Sequence, residues 1–297
     1  MPNLYTHQDS NTRKTWALMT IFLIVVIALG WAVSYVYNTP ELLIFAVLFS
    51  VFMNIFSYWY SDKIVIKISG AKPVKKEEYR DLWNVLENLS ITAGLPMPKL
   101  YIIDDNVPNA FATGRNAEHS AIAVTSGLLQ ILDRNEIEGV IAHELSHIGN
   151  KDILLSTVIV VLVGFVSLIS DIFIRSRFYG GGGDRDKGGA LAIVGIVLII
   201  LSPIIASLIQ LAISRKREFL ADSTGALLTR YPEGLASALL KISLHSGKMK
   251  KANNAMAHLY IHNPFGERKT FRNFVTKLFQ THPPTTERIS ALRGLKI

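Results

Sequence analysis

The stretch WALMTIFLIVVIALGWAVSYVY, from Trp16 to Tyr37, contains no charged residue and carries aromatic residues near both ends. A bilayer core about 30 Å thick needs roughly 20 apolar residues in a helix, and this stretch reaches that length. It is too long for the apolar core of a signal peptide, so it indicates a membrane anchor that stays in the protein. The fold is therefore expected to start from a transmembrane helix.

Three further stretches lack any charged residue and approach the length of a membrane span; they cover residues 42–60, 153–170 and 189–213. The chain has 297 residues, of which 49% are hydrophobic and only 18% are charged. Soluble domains are about one-quarter charged, so composition and pattern together predict an integral membrane protein with four transmembrane helices. The chain contains no cysteine, which excludes a disulfide framework, a cysteine nucleophile and a cysteine metal site.

The basic residues that flank these spans lie in excess on one side. Arg13 and Lys14 precede the first span, and the remaining flanking residues follow the second and fourth spans, namely Lys63, Lys67, Lys72, Lys75, Lys76, Arg215, Lys216 and Arg217. The positive-inside rule places this side, both termini and both polar regions in the cytoplasm of a cell membrane. The Gly-rich link at 175–189 is then a flexible loop on the opposite side. The net charge of +8 is explained by contact with the lipid bilayer, and no nucleic-acid partner is expected.

The pattern divides the chain into four parts: two transmembrane helices in 1–61, a cytosolic part in 62–152, two transmembrane helices in 153–213, and a helical cytosolic part in 214–297. Within 62–152 the periodicity predicts a strand over Lys63–Ile68 (KIVIKI) and a helix from Lys75 to Ala93 that ends at Gly94. Further strands are expected at 100–103, 109–113 and 121–125. The fold class is α+β, mainly helical, with a small antiparallel sheet in the cytosolic domain.

The sequence VIAHELSHIGN, from Val140 to Asn150, closes the first cytosolic part. His143 and His147 are four residues apart and project from the same face of a helix, where two imidazoles can bind one zinc ion. Glu144 lies beside them, where its carboxylate can take a proton from a zinc-bound water molecule. The pattern predicts one Zn²⁺ per subunit, and it requires a third ligand.

Topology indicates where that third ligand should lie. His147 precedes the third span by about six residues, so a continuous helix would hold it roughly 10 Å above the bilayer. A residue about six positions after the fourth span would lie at the same height, and Glu218 in SRKREFLAD occupies that place. Asp222, one turn later, could accept a hydrogen bond from a zinc-ligating imidazole. The alternative for Glu218 is a surface carboxylate paired with Arg215 or Arg217.

A site with two histidines and one glutamate leaves a position open for water. Zinc lowers the pKa of that water and polarises a carbonyl, while Glu144 moves the proton to the leaving amine. This chemistry predicts a membrane-embedded zinc endopeptidase with its active site at the cytosolic face. His282, in THPPTTERI, could stabilise an oxyanion if it lies near the metal, but its position in the sequence alone leaves this open.

Four motifs together resemble those of the HtpX-type membrane zinc proteases, which are relatives of the CAAX prenyl endopeptidase. They are HELSH followed by Asn150 and Asp152, SRKREFLAD ending at Asp222, NAFATG at 109–114 and HPPTTERI at 282–289. The resemblance covers essentially the whole chain, including the arrangement of four spans. No single motif is as specific as this combination.

The resemblance implies that His143, His147 and Glu218 hold zinc and that Glu144 is the catalytic base. It also implies that His282 lies near the metal and that Arg288 supports the site. The strand residues Asn109, Ala110, Phe111 and Ala112 would form an edge that pairs with extended substrate backbone. The family's role implies quality control under stress, in which misfolded membrane proteins or unfolded proteins are the substrates and other quality-control proteins are partners.

Two other classes of function compete with this prediction. A catalytically silent zinc-binding regulator or scaffold would keep the ligands, but it would have no use for a base beside them. A metal transporter would need ionisable residues inside its spans, but none of the four stretches contains an acidic residue, and Asp171 lies only at the end of the third. The predicted Glu144 base therefore separates an enzyme from a silent relative.

Overall fold

The computed structural model describes residues 4–164, 215–245, 247–253, 255–266 and 283–295. It begins with two long helices, α1 (Leu4–Tyr37) and α2 (Glu41–Ser69), joined by a short link. The helices run antiparallel, because Trp16 stacks on Tyr58 with ring centroids 6.2 Å apart while Gly30 faces Ala46 near the link. A Cβ atom on Gly30 would lie 2.1 Å from the Cβ of Ala46, so a glycine is required at this crossing.

The side chains of α2 are distributed as in a membrane helix. Its buried face is built largely from small residues, whereas its large apolar side chains are exposed, among them Phe45, Leu48, Phe52 and Ile55. Lipid accounts for this inverted pattern, since small residues let membrane helices approach while apolar side chains contact the acyl chains. Within the described residues, the candidate spans are Asp9–Ala28 and Glu41–Ser69.

The third expected span is described only at its start, as helix α6 (Asp152–Gly164). It follows α5 (Arg134–Gly149) after a bend of 85°, and the two would count as a third candidate span if taken together. The fourth expected span at 189–213 and the Gly-rich link lie outside the described residues. The structure thus supports a membrane protein with two candidate spans, or up to three.

The predicted strand at Lys63–Ile68 is wrong, because these residues continue α2 to Ser69. The helix ends at Gly70, whose φ of 72° is left-handed. Lysines at positions 63 and 67 fit an alternating pattern, but they also share one exposed face of a helix. Val65 faces the interior and is fully buried. The period-2 pattern was therefore also compatible with an amphipathic helix end.

The sheet contains four strands in the order β1 (Lys72–Pro73), β2 (Lys99–Ile103), β4 (Ser120–Thr125) and β3 (Ala110–Gly114). β1 and β3 pair antiparallel with their neighbours, but β2 and β4 are parallel, with Lys99 opposite Ala121. The expectation of an antiparallel sheet is therefore corrected to a mixed sheet. β2 and β4 occupy the interior positions, which leaves β3 at one edge of the sheet.

Alternate residues of the sheet pack on its two faces. Ala110, Ala112 and Ile122 belong to a core with α3 (Arg80–Ala93) and α5, and this core also includes the helices α7 (Arg215–Thr229), α8 (Pro232–Leu244) and α9 (Thr285–Arg293). Phe111 and Ala123 face a second core with α1, α2 and α6. The sheet therefore lies between the membrane helices and the polar domain. α3 ends at Gly94 as predicted, although it begins at Arg80 rather than Lys75.

Candidate metal centre

Helix α5 is fixed at its beginning by local and tertiary contacts. Asp133 and Glu136 form a reciprocal capping box, in which each side chain accepts a hydrogen bond from the backbone N–H of the other residue. Glu136 is buried and also accepts hydrogen bonds from Ser237 and Lys241 of α8. Gly139 permits the close contact of these helices, because a Cβ there would lie 2.6 Å from the backbone nitrogen of Leu235. The histidine-bearing turn therefore starts from a rigid support.

His143 and His147 of α5 and Glu218 of α7 form a compact group of three ligating side chains. The two histidine Nε2 atoms are 3.2 Å apart, and Glu218 places one oxygen 3.9 Å from His143 Nε2 and the other 3.6 Å from His147 Nε2. A tetrahedral zinc ion with bonds of about 2.0–2.1 Å separates its ligand atoms by about 3.3 Å. The three residues therefore fit a zinc ion.

Hydrogen bonds at the outer nitrogens, the Nδ1 atoms, explain why the two inner nitrogens, the Nε2 atoms, point toward each other. His143 Nδ1 is 3.0 Å from Asp222 Oδ1, and His147 Nδ1 is 2.9 Å from Asp152 Oδ2. A carboxylate accepts a hydrogen bond, so each Nδ1 carries a proton and each Nε2 of a neutral ring presents its lone pair. Two lone pairs 3.2 Å apart repel each other unless a proton or a metal ion lies between them. This donor set is the arrangement that a metal ion requires.

Arg288 of α9 supports the Asp222 side of the centre. It is 1% exposed, and its Nε and Nη2 donate to the two oxygens of Asp222 over 2.8 Å and 2.6 Å. Burial alone would raise the pKa of Asp222, but Arg288 outweighs it and holds that pKa at about 2. Burial lowers the pKa of His143 to about 4, so its ring is neutral at pH 7. His143 is therefore ready to bind a metal.

Asp152 links the centre to the first helix. Besides accepting from His147, it receives a hydrogen bond of 2.6 Å from the side chain of Asn11, which is itself buried. Arg217 donates to the Asn11 oxygen over 3.5 Å. Burial disfavours the charged form of His147, but the hydrogen bond to Asp152 and the nearby carboxylates, Glu218 first, raise its pKa to about 9. Zinc therefore competes with a proton at this ring.

Glu144 is 2% exposed and lies on α5 between the two histidines in sequence. Burial raises its pKa to about 7, although nearby His147 opposes this shift. The backbone of Ala112 on β3 forms a hydrogen bond to its carboxylate. A carboxyl group whose pKa is near neutrality can both accept and release a proton at physiological pH.

The residues Asn109, Ala110, Phe111 and Ala112 lie on or next to β3, the edge strand, and all four are buried. Ala110 and Ala112 direct backbone groups away from β4: the Ala110 carbonyl accepts from Ile261 over 3.0 Å, and Ala112 bonds to Glu144. Asn109 exchanges two hydrogen bonds with the backbone of His262. Phe111 points to the other face, against Tyr260. The segment around Ile261 therefore covers the first part of this edge.

The expected continuous helix from His147 into the membrane is wrong, because an 85° bend separates α5 from α6. Glu218 nevertheless lies beside both histidines and is 8% exposed. His282 lies outside the described residues. No role for Asp152 or Asn11 followed from the sequence. Asp152 follows the end of α5, so helical spacing from His147 does not relate them, and no local pattern connects Asn11 to residues so far along the chain.

Comparison with known proteins adds three findings. The model of "Peptidase family M48" matches residues 76–296. A "Protease HtpX homolog" of Caldanaerobacter subterraneus subsp. tengcongensis is 44% identical over 99% of this chain and 98% of its own length, and one of Dictyoglomus turgidum is 46% identical over 97% and 94%. The crystal structure of S. mikatae Ste24p superimposes with a TM-score of 0.51 at 19% identity, covering 97% of this chain and 67% of that one, which shows a shared fold.

Proposed function

This chain belongs to peptidase family M48 and is a zinc-dependent membrane endopeptidase; we propose that Glu144 is its general base and that its zinc ligands are His143, His147 and Glu218. The observation that carries the ligand assignment is the convergence of the two Nε2 atoms, 3.2 Å apart, while Asp222 and Asp152 occupy the outer nitrogens. A structural zinc site would need no carboxyl group next to its ligands. Glu144 is such a group.

Zinc, when bound, polarises the scissile carbonyl and makes a water molecule more acidic. Glu144 accepts the proton of the attacking water and then donates it to the leaving amine, a cycle that suits its pKa of about 7. Asp222 and Asp152 keep the two imidazoles in the tautomer that leaves Nε2 unprotonated. Arg288 keeps Asp222 ionised for this purpose. His282 is proposed as a further group that stabilises the developing oxyanion.

Replacing Glu144 with Gln tests the assignment of the base. Purified protein with zinc is incubated with casein or an unfolded membrane protein, beside Glu138→Gln, which changes a carboxylate of the same helix that pairs with Arg134. We expect Glu144→Gln to lose at least about 100-fold in kcat, as general acid–base catalysis contributes this much, with zinc content unchanged. Equal activity of both variants would contradict the proposal and favour the silent zinc-binding regulator.

We propose that substrate extends the sheet along the outer edge of β3, beyond the part that Ile261 covers. This is supported by Ala112, whose outward backbone already bonds to Glu144, so a strand paired there would pass the base. Only every second amide of a paired strand faces its neighbour. Methylation of alternate backbone nitrogens in a peptide substrate should therefore raise KM in one register and leave it unchanged in the other. Equal effects of methylation at every position would contradict strand pairing.

We propose that the natural substrates are misfolded or damaged membrane proteins and that the enzyme serves quality control under stress. A pair of membrane helices that packs on the protease domain supports this class, because it holds the site where such substrates are found. Proteomics of membranes with and without the active enzyme under heat stress tests it. Accumulation of unfolded membrane proteins only with Glu144→Gln is the expected outcome, and a change confined to soluble proteins would contradict it.

We further propose four full spans with both termini and the active site in the cytoplasm, divided at 1–61, 62–152, 153–213 and 214–297. The contact of Asn11 with Asp152 supports a common side for the start of α1 and the site. The chain has no cysteine, so single cysteines can be introduced cleanly. Gly182→Cys should react with an impermeant reagent in intact cells, whereas Lys75→Cys should react only after lysis. Labelling of Gly182→Cys only after lysis would overturn this topology.

A further inference from the structure

A basic cavity lies where the end of α2 meets the sheet, away from the metal centre. Its volume is about 400 Å³, and its walls include Lys63 and Lys67 of α2, Lys99 of β2 and His119 beside β4. Among the described residues, Asp62 is the only carboxylate in this lining. Three ammonium groups against one carboxylate leave an excess of two positive charges before any protonation of His119. A cavity with this balance selects an anion.

The lysine ammonium groups are not neutralised by neighbouring side chains. Across the part of the chain that the structure describes, none of the three lysines takes part in a salt bridge. Lys63 instead lies over the ring of Tyr60, with its Nζ 5.0 Å from the ring centroid. All three side chains are exposed, so they can reach an anion that enters from solvent or from the membrane surface.

The height of the cavity relative to the bilayer points to the membrane as the source of the anion. Trp59 and Tyr60 are about half exposed at the end of the apolar part of α2, as in the aromatic belts of membrane helices. Arg115 of the polar domain lies over Trp59, 4.3 Å from the ring centroid, so this level also borders the domain. Along the helix, Lys63 and Lys67 follow Tyr60 by roughly 4.5 Å and 10 Å.

The polar headgroup layer adds about 5–8 Å to each side of the hydrocarbon core. Lys63 therefore lies within the layer that contains lipid phosphates, and Lys67 lies just beyond it. Lysine is an effective ligand of phosphate as a point charge, and basic pockets beside membrane helices bind lipid head groups. We propose that this cavity binds the phosphate of an anionic phospholipid headgroup, a site beyond the peptidase activity and independent of it.

The test measures lipid binding by the full-length protein in detergent with native mass spectrometry, using phosphatidylglycerol and phosphatidylcholine in separate titrations. The variant combines Lys63→Gln, Lys67→Gln and Lys99→Gln. Its matched control combines Lys75→Gln, Lys76→Gln and Lys248→Gln, which removes the same charge from exposed lysines outside the cavity. We expect the Kd of the first phosphatidylglycerol to rise at least tenfold in the cavity variant and to stay unchanged in the control. Phosphatidylcholine should bind weakly to all three proteins.

Two results would overturn the proposal. An equal rise of the phosphatidylglycerol Kd in both triple variants would show attraction to the overall charge instead of a site. The second test adds millimolar inorganic phosphate to the protein and compares it with chloride at the same ionic strength. If phosphate raises the Tm of the wild type and displaces phosphatidylglycerol while the cavity variant does not respond, free phosphate and not a lipid is the occupant. Thermal unfolding of the variants verifies that each is folded.

Discussion

At the scale of single residues, the metal centre depends on the carboxylates that accept hydrogen bonds from Nδ1 of His143 and His147. Asp222 is oriented by Arg288, which is itself buried, whereas Asp152 is oriented by Asn11 from another helix. The ligand types could be predicted from the sequence, because helical spacing brings His143 and His147 to one face. Asp152 could not, since its position depends on the turn after α5.

The role of Glu218 gives the first prediction at this scale. Glu218→Gln keeps the shape of the side chain but removes the charge that balances the metal, so zinc affinity should fall by more than the 10–100-fold typical of residues behind the ligands. Glu287→Gln, an exposed carboxylate next to Arg288, serves as the control. Affinity is measured by competition with a chelator. Equal affinities of the two variants would show that Glu218 is not a ligand.

The raised pKa of His147 gives the second prediction. In zinc-free protein its pKa is about 9, above the ordinary 6.5, so the stability it contributes is complete below pH 6.5 and is lost as the pH rises through 9. Glu144 acts in the same direction up to about pH 7, and His143, with a pKa of about 4, does not titrate in this window. Tm should therefore fall between pH 6.5 and 9.

Zinc-loaded protein should not show this fall, because zinc replaces the proton on His147. Thermal unfolding in detergent with chelator, beside unfolding with zinc, measures the difference. Parallel Tm curves for the two preparations would mean that His147 carries no extra proton in the zinc-free fold.

At the scale of elements, Gly225 of α7 and Gly139 of α5 set the distances at which α7 and α8 pack on α5. Gly225 of α7 faces the backbone of α5 so closely that a Cβ would lie 3.0 Å from the nitrogen of His143. Such contacts cannot be recognised from one sequence, because a glycine inside a helix could equally mark a loss of stability. The order of the strands could not be predicted from the sequence either, because β4, the last strand in the chain, lies between β2 and β3.

Gly225→Val should separate α7 from α5 and move Glu218 away from the histidines. Overpacking of this kind costs about 1–3 kcal/mol, and zinc affinity should fall together with stability. Gly94→Ala is the control, because nothing lies within 4 Å of its Cβ position, although its φ of 65° disfavours alanine. Chelator competition and thermal unfolding measure both effects. A destabilised Gly225→Val protein with unchanged zinc affinity would contradict this coupling.

At the scale of the whole molecule, the membrane helices and the centre form one structure. The sheet packs on α2 and α6 with one face and on α5 with the other, and Asn11 joins α1 directly to Asp152. The four-span pattern and the zinc motif were both visible in the sequence, but this connection was not, because a single buried asparagine has no periodicity.

Asn11→Ala should therefore weaken zinc binding, although α1, the helix that carries Asn11, contains no zinc ligand. Asp152 would lose its 2.6 Å donor, and His147 would lose part of its orientation, so affinity should fall by about tenfold. Asn88→Ala, on the exposed face of α3, is the matched control. A purely structural role would lower Tm without changing the zinc Kd, and that result would contradict the connection.

The 85° bend between α5 and α6 has a consequence for which bonds can be cut. If the third apolar stretch, which α6 begins, crosses the bilayer as proposed, α5 runs along the membrane surface. A helix with its side chains is only about 10–12 Å across, so the scissile bond is held at about that height. On the proposed topology, a peptide bond would therefore reach the metal centre only at about that distance from the lipid.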